Sequence, residues 1–402
     1  MFYAGNYQPN GRFSERVPGL GEAPRVSTGM ILAAAAIIRF KRINGCEGIM
    51  GWVIDRSVTR RRAAGALAAI AIALSAGLAV AADAIEQPAV EILAVRDPQL
   101  GAQVAIADTY GYFKDEGLSM TVHWTQSGAD VLTLMGGGSQ YLGTGGTYGA
   151  VALAAQGMPV KVISALADIS ATQGFALSPG VKLASPRELE GKKLAFTEGN
   201  SQIVLLAKMA KMYDFDMKKV TLVNMNPSEG VVAASKGDVA GLLGWQPNLY
   251  RLTTMGGTLY ASGTELYVDG TAKKLSFDDR LQFNHSFLLA AQSWIDQKPN
   301  TMRAVLRALQ KATLLLATDR PKALAAMEQK LKVDSDALKV MADANDYGLA
   351  LTDSTAVSIG FTSDWALGIK RIPKGVTGDD CFAPALLGSI DAKLVSWKPK
   401  SS

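Results

Sequence analysis

Histidine and cysteine are nearly absent: the 402 residues hold two of each. Cys46 falls in a leader-like region and Cys381 in the body, so the body cannot form an intramolecular disulfide, a CxxC redox pair or a thiolate metal cluster. His123 and His285 are too few and too far apart in sequence to suggest a zinc site, and no metal or other cofactor is expected. The GxSxG and HExxH signatures of hydrolases are missing, as is the GxxxxGK[ST] phosphate loop. A useful surplus of basic charge is missing too. The formal charge is +5, but residues 1–84 carry ten Lys/Arg against five Asp/Glu, which leaves 31 of each in 85–402. Binding to nucleic acid needs excess Lys/Arg on one face, so no nucleic-acid partner is expected.

What is present begins with a leader. Arg60, Arg61 and Arg62 precede a 20-residue uncharged run, 63–82, within a segment that ends AVAADAIEQ. A basic patch, an apolar stretch and small residues at Ala79/Ala81 or Ala82/Ala84 compose an export signal. The pattern predicts a signal peptide over 50–84, cleavage near Ala81 to Ala84, a mature start near Ile85 and a periplasmic location. The same run is long enough for a membrane anchor, the competing reading. Thr59-Arg60-Arg61 hints at twin-arginine export but lacks the bulky apolar residue that usually follows, so the route stays open. Met50 stands directly before this signal, and 1–49 read as an extension rather than a domain.

From Val90 onward short apolar strands alternate with helical patterns, which predicts an α/β fold with mainly parallel sheets. Strands are expected at 90–96, 119–124, 140–144, 159–166, 193–197, 220–224 and 239–243. Helices are expected at 99–116, 128–135, 148–156, 201–214, 228–236, 300–316, 320–330 and 335–345, with 281–291 as an extended return. The 318 residues of 85–402 exceed one ordinary domain. The Pro/Gly/Ser-containing stretch 178–186 separates a first lobe, 85–178 plus 285–402, from a second, 179–284. The glycine-rich run at 135–149 (MGGGSQYLGTGGTYG) fails GxGxxG at its third glycine, where Tyr148 stands. Two readings remain: a strand that feeds a helix N-terminus at Thr147-Tyr148, with free N–H groups facing a cleft, or glycines that merely permit a tight turn.

Four stretches, in order, resemble one known family. Residues 107–118 (ADTYGYFKDEGL), the block 138–157, residues 189–196 (LEGKKLAF), and KGDVA at 236–240 followed by Trp245-Gln246-Pro247 are similar to the periplasmic solute-binding proteins of ABC importers for sulfonates, taurine, nitrate and thiamine-pyrimidine precursors. The resemblance covers nearly all of 88–400. It implies the two-lobe periplasmic-binding-protein fold, type II: α/β lobes joined by two crossing strands, with the ligand cleft between them. It places Asp97-Pro98-Gln99 after the first strand and Gly146, Thr147 and Tyr148 after the third. Asn200, Ser201 and Gln202 would open the first helix of the second lobe, Trp245 would leave its last strand, and Asn284 would lie on the return crossing. Asn200 and Ser201 are equally good as caps of their own helix, and Trp245 suits a ligand lid or a core. His123 reads as a satisfied core or surface residue. Arg96 is left with two partners, an anionic ligand or Asp97.

By this resemblance the chain is an extracytoplasmic solute-binding component with no catalytic residues. It would act as a monomer that captures a small anionic or polar solute (a sulfonate, a nitrate-like anion or a thiamine-pyrimidine-like compound) on two helix N-termini and delivers it to an ABC permease. A thiamine-pyrimidine-synthase-like enzyme is the alternative, although such relatives carry a cysteine-rich motif and active-site histidines. A ligand-sensing module is the other.

Overall fold

The computed structural model describes residues 84–198, 201–268 and 271–399. The expected extension 1–49, the expected signal up to residue 83, and Asn200 lie outside the described residues.

In the first lobe the order is β1 (Ala89–Val95), α1 (Ala102–Thr109), β2 (Ser119–Thr125), α2 (Gly128–Gly136), β3 (Leu142–Gly146), α3 (Thr147–Ala155) and β4 (Val160–Asp168). The second lobe holds β5 (Gln173–Leu177), β6 (Lys193–Phe196), α4 (Gln202–Tyr213), β7 (Thr221–Asn224), α5 (Pro227–Lys236), β8 (Gly241–Trp245), α6 (Asn248–Thr254), β9 (Thr258–Ser262), β10 (Glu265–Val268) and β11 (Thr271–Lys274). The chain then returns through β12 (His285–Ala291), α7 (Pro299–Thr318), α8 (Arg320–Leu331), α9 (Ser335–Ala344), β13 (Asp346–Tyr347) and α10 (Asp353–Gly368). One sheet has the order β13-β4-β12-β3-β1-β2 and the other β11-β10-β9-β5-β8-β6-β7.

Parallel pairs form where a helix intervenes, as β1 with β2 and β3, and β6 with β7 and β8. The strands at the crossings run the other way: β12 is antiparallel to both β3 and β4, and β5 to both β8 and β9. Each sheet therefore carries its α/β half plus two reversed strands, β12 and β13 in the first and β5 and β10 in the second. Helices on both faces bury Ile92, Ile106, Ile163 and Phe287 in the first lobe. In the second, Phe175, Leu205 and Tyr260 pack on one side and Leu242, Leu249 and Leu252 on the other. Helix α7 shows how sequence makes these layers: Pro299 opens it, and Met302, Val305, Leu306 and Leu309 recur at helical spacing on the buried stripe. Among the described residues no helix is long and apolar enough to cross a membrane.

Three expectations change. The single helix at 99–116 is two, α1 and a short turn at Tyr112–Asp115, because Gly111 takes φ +73° between them. The first crossing comes after Asp168 and before Gln173, not at the 178/179 boundary, since Gln173–Leu177 is a central strand of the second sheet. All five of its residues are buried, so it shows no alternation to announce a strand. The glycines of β3 serve packing: a Cβ on Gly145 would lie 2.9 Å from Leu289 Cδ1, and one on Gly143 2.9 Å from Val131 Cγ1.

Phe175 meets Tyr260 edge-on at 5.8 Å in the middle of the second lobe. Truncation to Ala is expected to lower the free energy of unfolding by about 3–5 kcal/mol, measured by denaturant titration. A loss below about 1 kcal/mol would show that β5 is not central to that lobe's stability.

Candidate functional site

The carboxyl ends of β1, β3 and β8 open onto one cavity of about 110 Å³, which the two crossings close from below. Its walls include Asp97, Gln99, Gly146, Tyr148, Ser201, Gln202, Trp245 and Asn284, with Ile169 and Gln173 at the first crossing. Seven of the nine residues expected from sequence thus share one cavity: Gln99, Gly146, Tyr148, Ser201, Gln202, Trp245 and Asn284. Thr147 is not on its wall. It is fully buried, its hydroxyl donating to the His285 carbonyl (3.2 Å) and accepting from the His285 amide (2.8 Å), which ties the start of α3 to β12. Asn200 is outside the described residues.

Gln99 faces the cavity but has its amide fully engaged between the lobes. Nε2 donates to the Gln246 carbonyl at 2.7 Å, and Oε1 accepts from Thr172 Oγ1 at 2.9 Å and Gln173 Nε2 at 2.7 Å. Gln173 Oε1 then accepts from Gln202 Nε2 at 2.6 Å, carrying the chain of amides to the first turn of α4. Ser201 precedes that turn without capping it. Its hydroxyl accepts from Gln282 Nε2 at 2.8 Å and Asn284 Nδ2 at 3.4 Å, while Asn284 Oδ1 receives the Thr147 amide at 3.4 Å. The cap reading of Ser201 gives way to a junction between the second lobe and the return crossing. Trp245 is half-buried at the end of β8, opposite Gln173 on β5.

Three helices begin at this cavity. The starts of α3 and α4 lie on its walls, and so do Gln126, Ser127, Gly128 and Ala129 at the start of α2. Helix α2 is closed by its own capping box, in which Ser127 Oγ accepts from the Asp130 amide and Asp130 accepts from the Ser127 amide. That Ser-x-x-Asp spacing is the sequence signal by which this wall was findable. Gln173, in an unannounced strand, had none.

The charges are arranged unexpectedly. Among the described lining residues Asp97 alone carries a formal charge. Its Oδ1 accepts the amides of Gln99 (2.9 Å) and Leu100 (2.8 Å), whereas Oδ2 has no hydrogen-bond partner among the described residues. Burial pushes this carboxyl up to about 6 against the pull of those two amides. Arg96 takes neither expected partner: it lies over the Trp124 ring at 5.5 Å and donates to the Lys330 carbonyl at 3.1 Å. Arg280 binds Asp168 at 3.0 Å, and Arg371 pairs with Glu198 across from lobe to lobe. The histidines are also elsewhere: exposed His123 meets Glu91 at 3.2 Å, and His285 is buried behind the wall, its charging opposed by burial. Cys381 is buried and its thiol pushed up to about 12.

Residues 101–323 match the family described as NMT1/THI5 like. The chain belongs to this family. It is 24% identical over 226 residues to a 4-amino-5-hydroxymethyl-2-methylpyrimidine phosphate synthase, THI12, of Saccharomyces cerevisiae, covering 55% of this chain and 64% of that protein. It is 25% identical over 160 residues to the taurine-binding periplasmic protein of Escherichia coli, covering 39% and 48%. The chain thus spans less than two thirds of the length of the curated relatives it matches. Among solved structures it is similar to the periplasmic aliphatic sulphonate binding protein SsuA from Escherichia coli, with a TM-score of 0.62, 17% identity, and coverage of 74% of this chain and 93% of that one. The fold is the two-lobe periplasmic-binding-protein fold.

The raised Asp97 sets a pH dependence. Its folded value of about 6 exceeds the ordinary 3.8, so its ionisation opposes folding. The penalty is absent below pH 4, grows between pH 4 and 6, and is complete above. Asp97→Asn keeps an oxygen for the two amides and removes the penalty. The variant is expected to gain about 1–2 kcal/mol at pH 7.5, after discount for solvent on the cavity side, and nothing at pH 4. Thermal unfolding across that range checks it, and an equal effect at both ends would contradict the assignment.

Proposed function

We propose that this protein is the extracytoplasmic solute-binding component of an ABC importer, acting as a monomer that captures a small polar solute between its lobes and hands it to a membrane permease. The observation that carries the reading is the cavity itself. It draws hydrogen-bonding amides, a hydroxyl and two aromatic rings from both lobes, and a site shared by two lobes opens and closes with their relative motion. The family membership, the fold and the resemblance to taurine- and sulphonate-binding proteins support it. The expected export signal supports a periplasmic location. The yeast relatives named as synthases favour an enzyme on the same fold, but both histidines of the body lie off the cavity wall and Cys381 is buried. Binding without catalysis is therefore the preferred reading.

In the bound state the first turns of α3 and α4 present open N–H groups to an acceptor on the solute, and Trp245 and Tyr148 cover its apolar part. Ser201→Ala removes the acceptor shared by Gln282 and Asn284 and is expected to weaken solute binding by about 1–3 kcal/mol. Trp245→Ala is expected to weaken it at least as much with the fold intact, as read by calorimetry and circular dichroism. Wild-type affinity in both would refute this cavity as the binding site. Mass spectrometry of small molecules released from the purified protein tests the function itself, together with scattering that shows compaction when the released molecule is returned.

A further inference from the structure

We infer that the captured solute carries a protonated amine or an amidine-like N–H donor, and that Asp97 is the residue that selects for it. The inference deepens the solute-capture reading and rests on it. Asp97 stands on the cavity wall with one oxygen held by two backbone amides and the other without a partner. Those amides fix the carboxylate's orientation, so Oδ2 is a pre-placed acceptor. Burial makes the charge on this carboxyl costly, and a solute that brings a charged donor to Oδ2 offsets that cost. Among the described residues no lysine or arginine lines the cavity, and Arg96, Arg280 and Arg371 are each engaged elsewhere.

The same geometry disfavours a plain anion, contrary to the expectation of a nitrate-like or simple sulfonate ligand. Asp97 is the one formal charge among the described residues on this wall, so an anion in the cavity meets a like charge that no basic side chain there offsets. The open amides of α3 and α4 accommodate an acceptor group at the other end. The complementary solute is therefore dipolar, with its N–H donor at Asp97. Proton linkage follows, since a cationic donor binds the ionised carboxylate and must displace its proton in acid. Among the described residues no charged group shifts this titration: Arg96 points to Trp124, and Tyr347 on β13 donates its phenol hydrogen to the Pro98 carbonyl and is held neutral by burial. With half-protonation at about 6, binding at pH 5 is expected to be roughly tenfold weaker than at pH 7.5.

The test is a thermal-shift and calorimetric screen of the full chain, wild type and Asp97→Asn, against small metabolites that include matched pairs: ethanesulfonate and 2-aminoethanesulfonate, propionate and 3-aminopropionate, pyrimidine and 4-aminopyrimidine. The expected result is that ligands come from the donor-bearing members, and that Asp97→Asn weakens cationic ones at least tenfold and removes their loss of affinity at pH 5. Because Asp97→Asn is expected to stabilise the empty protein, lost binding would not reflect unfolding. Plain anions bound equally by both proteins would overturn the selectivity and leave solute capture standing. No ligand at all from the screen, with none released from the purified protein, would overturn both.

Discussion

The buried side-chain amide of Gln99 is the point at which the two lobes depend on each other. It is 1% exposed, and all three of its hydrogen bonds go to Thr172, Gln173 and the Gln246 carbonyl, on the first crossing and in the second lobe. A primary amide so buried is tolerable only while those partners stay in place. The arrangement of the lobes is therefore specified by polar satisfaction as well as by apolar packing. Gln173 extends the constraint to Gln202, and Ser201 is gripped in parallel by Gln282 and Asn284. The cavity is the space these amides enclose.

That enclosure gives the site its electrical character. Helix starts bring partial positive charge without a side chain, and Asp97 brings negative charge that burial makes expensive. A cation supplied by the protein at Asp97 would lower that cost and leave nothing for a ligand to neutralise. Instead the nearby arginines are spent on Trp124 and the Lys330 carbonyl, on Asp168, and on Glu198. The protein thus places a carboxylate oxygen with no donor from the described residues on the cavity where a solute enters.

The relatives this chain matches include proteins named as synthases and one named as taurine-binding, so similarity alone does not separate the two activities. The proposed binding without catalysis rests on side-chain placement. His123 belongs to a surface pair on β2, and His285 sits behind Thr147 with its backbone committed to α3. What remains at the wall is an inventory of amides, hydroxyls, aromatic rings and one carboxylate, suited to recognition.

The sequence by itself determined the alternation of strands and helices and the positions at strand ends where ligand-facing residues gather. These follow from local periodicity, so they survive without tertiary information. The structure decided the rest. The expected predominance of parallel pairing gives way to seven antiparallel pairs against four parallel ones among the described residues, because the crossing strands, β13 and the β9–β11 hairpins reverse direction. Gln173–Leu177 became a central strand because both its faces are buried, a condition that erases alternation. Ser201, a plausible cap, became a bridge because Gln282 and Asn284 approach from more than eighty residues away. Arg96 turned to Trp124 and left Asp97 alone beside the cavity. Which partner a polar side chain takes, and how far burial raises a carboxyl, depend on groups brought close only by the closing of two sheets on each other.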